Sequence, residues 1–119
     1  MLRTETAELV QATVRLPGVD LHVPALCNVE IVSGLRRAAA RRILTEPRAR
    51  EAIRDYLDLP LTRHGHTSLL DRMFELRANL SAYDATYVAL AEVIGAELLT
   101  ADDGLARAVE SHTRVALAR

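Results

Sequence analysis

Ser81-Ala-Tyr-Asp-Ala-Thr-Tyr-Val-Ala-Leu-Ala-Glu92 is the stretch on which the reading of this chain turns. Ser81 stands where a helix N-cap belongs, and Asp84 follows at the spacing of a capping box. Tyr87, Val88, Ala91 and Val93–Ile94 supply the helix's apolar content, and Gly95 is a good C-terminal stop. Ala96–Thr100 is short and apolar, which predicts a strand, and Asp102-Asp-Gly-Leu105 opens a further helix. Short strands alternating with helices predict an α/β fold with a parallel sheet.

The same alternation extends in both directions. Upstream, Ser68–Leu80 reads as a helix; Leu69, Met73, Phe74, Leu76 and Leu80 form a stripe that fits a core or a dimer interface equally well. Leu59–His64 is a strand candidate, and Thr45-Glu-Pro47 starts a helix with Ala49, Ile53 and Leu57 on one face. Asp20–Val23 is another short strand, after which Pro24 sits where a helix running to about Ala40 can begin. Thr4–Val14 reads as a short helix closed by Pro17-Gly18, and Arg114–Leu117 as a last strand. The length, 119 residues, predicts a single domain over 1–119, with no repeat or linker to divide it.

Half of the chain is apolar, yet only Tyr56, Phe74, Tyr83 and Tyr87 are aromatic, so Leu, Val, Ile and Ala must build the core. The net charge of −1 points by itself to neither a nucleic-acid binder nor an acidic solvating protein. All fifteen basic residues are Arg, each a planar fork suited to phosphate or carboxylate. Cys27 is the one cysteine, which excludes an intramolecular disulfide, fits a reducing compartment and is expected to pack as a small apolar group. The start, Met1-Leu-Arg-Thr-Glu-Thr, lacks the order of a signal peptide, and Glu92 and Glu97 interrupt the most apolar run, Tyr87–Leu99. A soluble cytoplasmic protein is expected. His64 and His66 flank Gly65 with no Cys or third His nearby, and read as loop residues rather than metal ligands.

Glu30, Asp84 and Asp102 share a relation to this map. Asp102 follows the Glu97–Thr100 strand, at the sheet edge where open α/β sheets bind ligands. Glu30 and Asp84 reach that edge if their helices start there. Two carboxylates about 4 Å apart repel by on the order of 4 kcal/mol at an effective dielectric near 20. Three together must take up protons or bind a cation, and oxygen-only donors suit Mg²⁺ or Mn²⁺ rather than Zn²⁺. No glycine-rich phosphate loop, nucleophile elbow or zinc-spaced His pair offers another chemistry. Each acid also has a plainer reading. Asp84 serves a capping box, Asp102 and Asp103 suit a helix N-terminus, and Glu30, set among Leu26, Cys27, Val29 and Ile31, needs a partner such as Arg37.

The Ser81–Glu92 segment, followed by Leu98-Leu-Thr-Ala-Asp-Asp-Gly-Leu-Ala106, resembles the signature of VapC-type toxins of the PIN-domain family. Leu21-His-Val-Pro-Ala-Leu-Cys-Asn-Val-Glu30 is similar to the family's second strand and the helix that carries its Glu. The resemblance implies a PIN-like three-layer fold with a central, mainly parallel sheet flanked by helices. It also implies Mg²⁺- or Mn²⁺-dependent endonucleolytic cleavage of RNA, a cognate antitoxin and a homodimeric core. Residue by residue, Glu30, Asp84 and Asp102 match the acidic metal-pocket positions, with Asp103 an additional contributor, and Thr100 matches a hydroxyl that supports the carboxylates. The family opens with a strand ending in Asp; here Met1 falls roughly where that strand has ended. An N-terminally incomplete domain is therefore expected, inactive and unstable alone. Two other readings stay open: a non-catalytic PIN-like protein, or another metal-dependent phosphohydrolase.

From Arg36 to Arg54, seven Arg stand against Glu46 and Glu51, a local excess of five positive charges. They fit a surface for RNA phosphates or for an acidic part of an antitoxin, and equally a solvated helix pair with ion pairs such as Glu46–Arg50. No aromatics interleave them, so base stacking is not expected.

Overall fold

A computed structural model describes residues 20–118. The expected helix over Thr4–Val14 and the Pro17-Gly18 turn lie outside the described residues. The remainder is a helix-rich α/β arrangement with a small parallel sheet.

Strand β1 is Leu21–Pro24, one residue later than the sequence pattern placed it. It pairs in parallel with β2, Leu61–His64, in the register Leu21↔Leu61 to Pro24↔His64. Parallel neighbours need a long crossover, and α1 (Leu26–Ala40) and α2 (Glu46–Asp58) provide it. The Ala25 amide donates to the His64 carbonyl at 2.7 Å, which latches the start of α1 to the end of β2. Helix α1 closes through Arg42, held in the left-handed region at φ 57, while the Ile43 amide returns to the Ala38 carbonyl at 2.9 Å. Thr45 then caps α2, its hydroxyl accepting from the Arg48 amide, and Pro47 occupies the first turn as expected.

The single helix expected over Ser68–Leu80 is divided. A 3-10 turn at Thr67–Leu69 leads into a short α3, Leu70–Glu75. Past α3 the Leu76 carbonyl accepts from both the Asn79 and Leu80 amides, a tightened turn that sets Leu76 and Leu80 in the core. Helix α4, Ala82–Ile94, begins at the predicted Ser81 cap and ends at Gly95, whose φ of 66 is the left-handed cap conformation that a Cβ disfavours. Helix α5 is Asp103–His112, capped by Asp102. The strands expected at Ala96–Thr100 and Arg114–Leu117 are reduced to one parallel bridge, Leu98↔Leu117, with hydrogen bonds of 2.8 and 2.9 Å on either side of Leu98.

The largest core cluster joins Leu76, Leu80, Ala85, Val88, Leu98 and Val109, so α4 and α5 close over the Leu98 bridge. A second cluster joins Val23, Cys27 and Tyr56 between β1, α1 and α2. Tyr87 of α4 packs against both. Of the stripe left open between core and interface, Leu69, Leu76 and Leu80 are buried. Phe74 is 66% exposed, with the Arg77 guanidinium 4.1 Å from its ring centroid. Among the described residues no helix is long and apolar enough to cross a membrane.

Candidate active site

Helix α1 turns Cys27 and Glu30, one turn apart, toward the interior; Glu30 is 3% exposed. A buried carboxylate is costly unless it is hydrogen-bonded or neutralised. The Tyr87 hydroxyl, reaching in from α4, donates to Glu30 Oε1. Tyr87 packs against the buried pair of Cys27 and Tyr56. Tyr56 donates to Asn28 Oδ1 at 2.7 Å. Burial is the main reason that both phenols resist ionisation. Tyr56 is pushed up to about 12, with Cys27 adding to the rise and Arg63 opposing it. Tyr87 is pushed up further, by burial first and then by Cys27 and Glu30.

Asp84 sits half-buried in the first turn of α4, its backbone amide donating to Ser81 Oγ at 3.1 Å. Asp102 is half-buried at the α5 cap, with Oδ1 accepting from the Leu105 amide at 3.1 Å. Thr100 Oγ1 accepts from the Asp102 amide at 3.0 Å, so its hydroxyl fixes the backbone that carries the carboxylate. A Cβ at Gly104 would lie 3.2 Å from Asp102 Oδ1, a tight approach that favours glycine beside this acid. Asp103 is exposed in the first turn of α5. Among the described residues no three His, Cys, Asp or Glu side chains are gathered closely enough to hold a metal ion, so Glu30, Asp84 and Asp102 do not form one three-donor cluster here.

A PIN-domain family model matches residues 3–110, a span that includes all of these acids. The chain belongs to the PIN-domain family. VapC ribonuclease Mb0985 of Mycobacterium bovis is 48% identical over 92 residues, covering 77% of this chain and 72% of that protein. Ribonuclease VapC3 of Mycobacterium tuberculosis is 40% identical over 94 residues, covering 79% and 69%. Ribonuclease VapC12 of the same species is 33% identical over 93 residues, covering 78% and 72%. This PIN domain is therefore of the VapC type.

The donor chemistry of the PIN domain's acids fits a hard divalent ion. All are carboxylates, and Mg²⁺ commonly keeps several waters and takes only one or two carboxylates directly, so a closed three-donor cage is not required. The sequence pointed to Arg37 as a partner for Glu30 but missed Tyr87, which lies 57 residues away. Cys27 packs in the core as expected, against Tyr56 and Tyr87. The one available signal was Glu30 itself, an acid among apolar neighbours. His64 ends β2, as the strand candidate Leu59–His64 placed it, and its Nε2 meets His22 Nδ1 across the sheet at 2.8 Å.

Proposed function

We propose that this PIN domain is a Mg²⁺- or Mn²⁺-dependent endoribonuclease that hydrolyses RNA phosphodiesters as the toxin of a type II toxin–antitoxin pair. The observation that carries the reading is the buried carboxylate of Glu30 in a VapC-type PIN domain whose relatives are named ribonucleases. Glu30, Asp84 and Asp102 would hold the ion, with Asp103 as an outer contributor and Thr100 fixing the Asp102 backbone. When bound, the ion supplies Lewis acidity at the phosphodiester and lowers the pKa of water.

The exposed Arg36, Arg41, Arg42 and Arg54 would meet RNA phosphates or an acidic stretch of the antitoxin. Arg48 and Arg50 are held by Glu51 and Glu46 through ion pairs of 2.9 and 3.0 Å. A homodimer belongs to the same reading, by family resemblance.

Asp84→Asn tests the site. The Ser81 cap uses the backbone amide of residue 84, so this substitution leaves the cap and removes only charge. RNA cleavage in Mg²⁺ or Mn²⁺ is expected to fall by about 100-fold or more, since charge stabilisation by such an ion contributes several kcal/mol. Retained cleavage with unchanged metal dependence would reduce Asp84 to a helix-start residue. Undiminished cleavage by wild type in EDTA would remove the ion from the reading, and a form extended at its N-terminus by a strand ending in Asp that stayed inert with either ion would favour a non-catalytic PIN-like protein.

A further inference from the structure

Two phenols that pack on Cys27 each donate to a side chain of α1: Tyr56 commits its phenolic proton to Asn28 and Tyr87 commits its own to Glu30. Tyr87 is held from its other side as well, because it packs against both the Val23–Cys27–Tyr56 cluster and the Leu76–Val88–Val109 cluster. The hydroxyl that meets Glu30 is therefore placed by α1, α2 and α4 together.

We infer that Tyr87 is a positioning residue, whose hydroxyl fixes the Glu30 carboxylate for a divalent ion while Cys27 and Tyr56 buttress the phenol. This rests on the proposed role of Glu30 as an ion ligand. A ligating carboxylate needs its own hydrogen-bond partner to hold its orientation, and losing such a partner costs about 10–100-fold in metal affinity or activity. A phenol ionises only near pH 10, so the hydroxyl is a donor throughout the physiological range. The ring supplies packing and the hydroxyl supplies orientation; Tyr87→Phe separates the two.

Calorimetric titration of Mn²⁺ into the full chain without RNA provides the test. Wild type binds, Glu30→Gln loses binding, and Tyr87→Phe is expected to bind about 10–100-fold more weakly. Leu76→Ala controls for destabilisation, since Leu76 lies in the aliphatic cluster and takes part in neither phenol's hydrogen bond. A merely structural role for the tyrosine would make Tyr87→Phe follow Leu76→Ala. If wild type and Leu76→Ala bind, Glu30→Gln does not, and Tyr87→Phe matches wild type, the inference fails while the metal reading survives. If wild type does not bind, or Glu30→Gln binds as wild type does, the metal reading fails and takes the inference with it. Should Tyr87→Phe not fold, the ring ¹³Cζ resonance of Tyr87 in metal-free protein decides. It is expected to shift in Glu30→Gln, and an unmoved resonance would overturn the contact itself.

Discussion

The two clusters that Tyr87 joins are built on different principles. Around Val88 and Val109, both fully buried, α4, α5 and the turn after α3 bring together aliphatic side chains with almost no buried polar atoms among them. Around Cys27 apolar and polar groups are mixed. Val23, Ile31, Leu59 and Leu61 pack beside a thiol and two phenols, one of which meets the Glu30 carboxylate, with the Arg63 guanidinium 4.7 Å over the Tyr56 ring. Arg63 Nη2 donates to the Tyr56 carbonyl at 3.0 Å, while its Nε is buried without a hydrogen-bond partner among the described residues. Such a group costs about 1–3 kcal/mol. One cluster thus gains stability from apolar burial, and the other gives part of it up to hold polar groups in place. The candidate catalytic carboxylate, Glu30, lies in the second.

The largest effect that separates them is a cavity. Leu76→Ala removes a buried side chain that is 5% exposed, and should cost about 2–5 kcal/mol in urea or thermal unfolding. Removing the Tyr56 hydroxyl, whose partner Asn28 is exposed, should cost only about 1 kcal/mol. A Leu76→Ala variant as stable as wild type would show that the aliphatic cluster does not dominate stability.

This division also explains what the sequence could and could not reveal. Helix periodicity and capping act over a few residues, so the Ser81 and Thr45 starts, the Gly95 stop and the Asp102 cap were all readable. The 3-10 turn and the shortened α3 were not. They arise because Leu76 and Leu80 both join the core, a tertiary requirement that overrides a continuous helical stripe. Strand length failed for a related reason. The apolar run at Ala96–Thr100 signals burial, but pairing depends on the partner segment, and only Leu98 is bridged. The acids were legible as residue types at motif spacing. The Tyr87–Glu30 and Tyr56–Asn28 contacts were not, because they span 57 and 28 residues and no local pattern encodes them.

Alkaline pH should weaken the polar cluster selectively. A free tyrosine ionises near pH 10, whereas folded Tyr56 is held at about 12. The folded state therefore keeps a proton that the unfolded state releases. The stability associated with Tyr56 is fully present below pH 10 and is lost as pH rises toward 12, by at most about 1.4 kcal/mol per pH unit. Urea melts between pH 9 and 12 should show a smaller decline for Tyr56→Phe than for wild type. Parallel declines would place the alkaline sensitivity elsewhere.

The smallest expected effect concerns the link between α3 and α4, where an ion pair lies beside the aliphatic cluster. Arg72 grips Glu92 with two parallel bonds of 2.9 Å, and Nη1 reaches Glu75 Oε2 at 3.1 Å. The guanidinium is held more firmly protonated than usual, chiefly by its hydrogen bonds to Glu92, but this does not translate into comparable stability. The Arg72 side chain is 40% exposed and Glu92 26%, so water and salt screen the attraction. Exposed pairs contribute about 0.2–1 kcal/mol, and the bidentate geometry favours the upper end. A double-mutant cycle of Arg72→Ala and Glu92→Ala should give a coupling near 1 kcal/mol at low salt, shrinking in 1 M NaCl. Arg72→Lys should recover only part of it, because an ammonium cannot make both bonds in one plane. The apolar contacts of α3 and of the 3-10 turn before it, Met73 and Leu69 against Ala89 and Leu90, should hold the two helices together without it. A salt-insensitive coupling as large as the Leu76→Ala loss would mean that charge, rather than aliphatic burial, fastens α3 to α4, and the contrast between the two clusters would no longer hold on this side of the molecule.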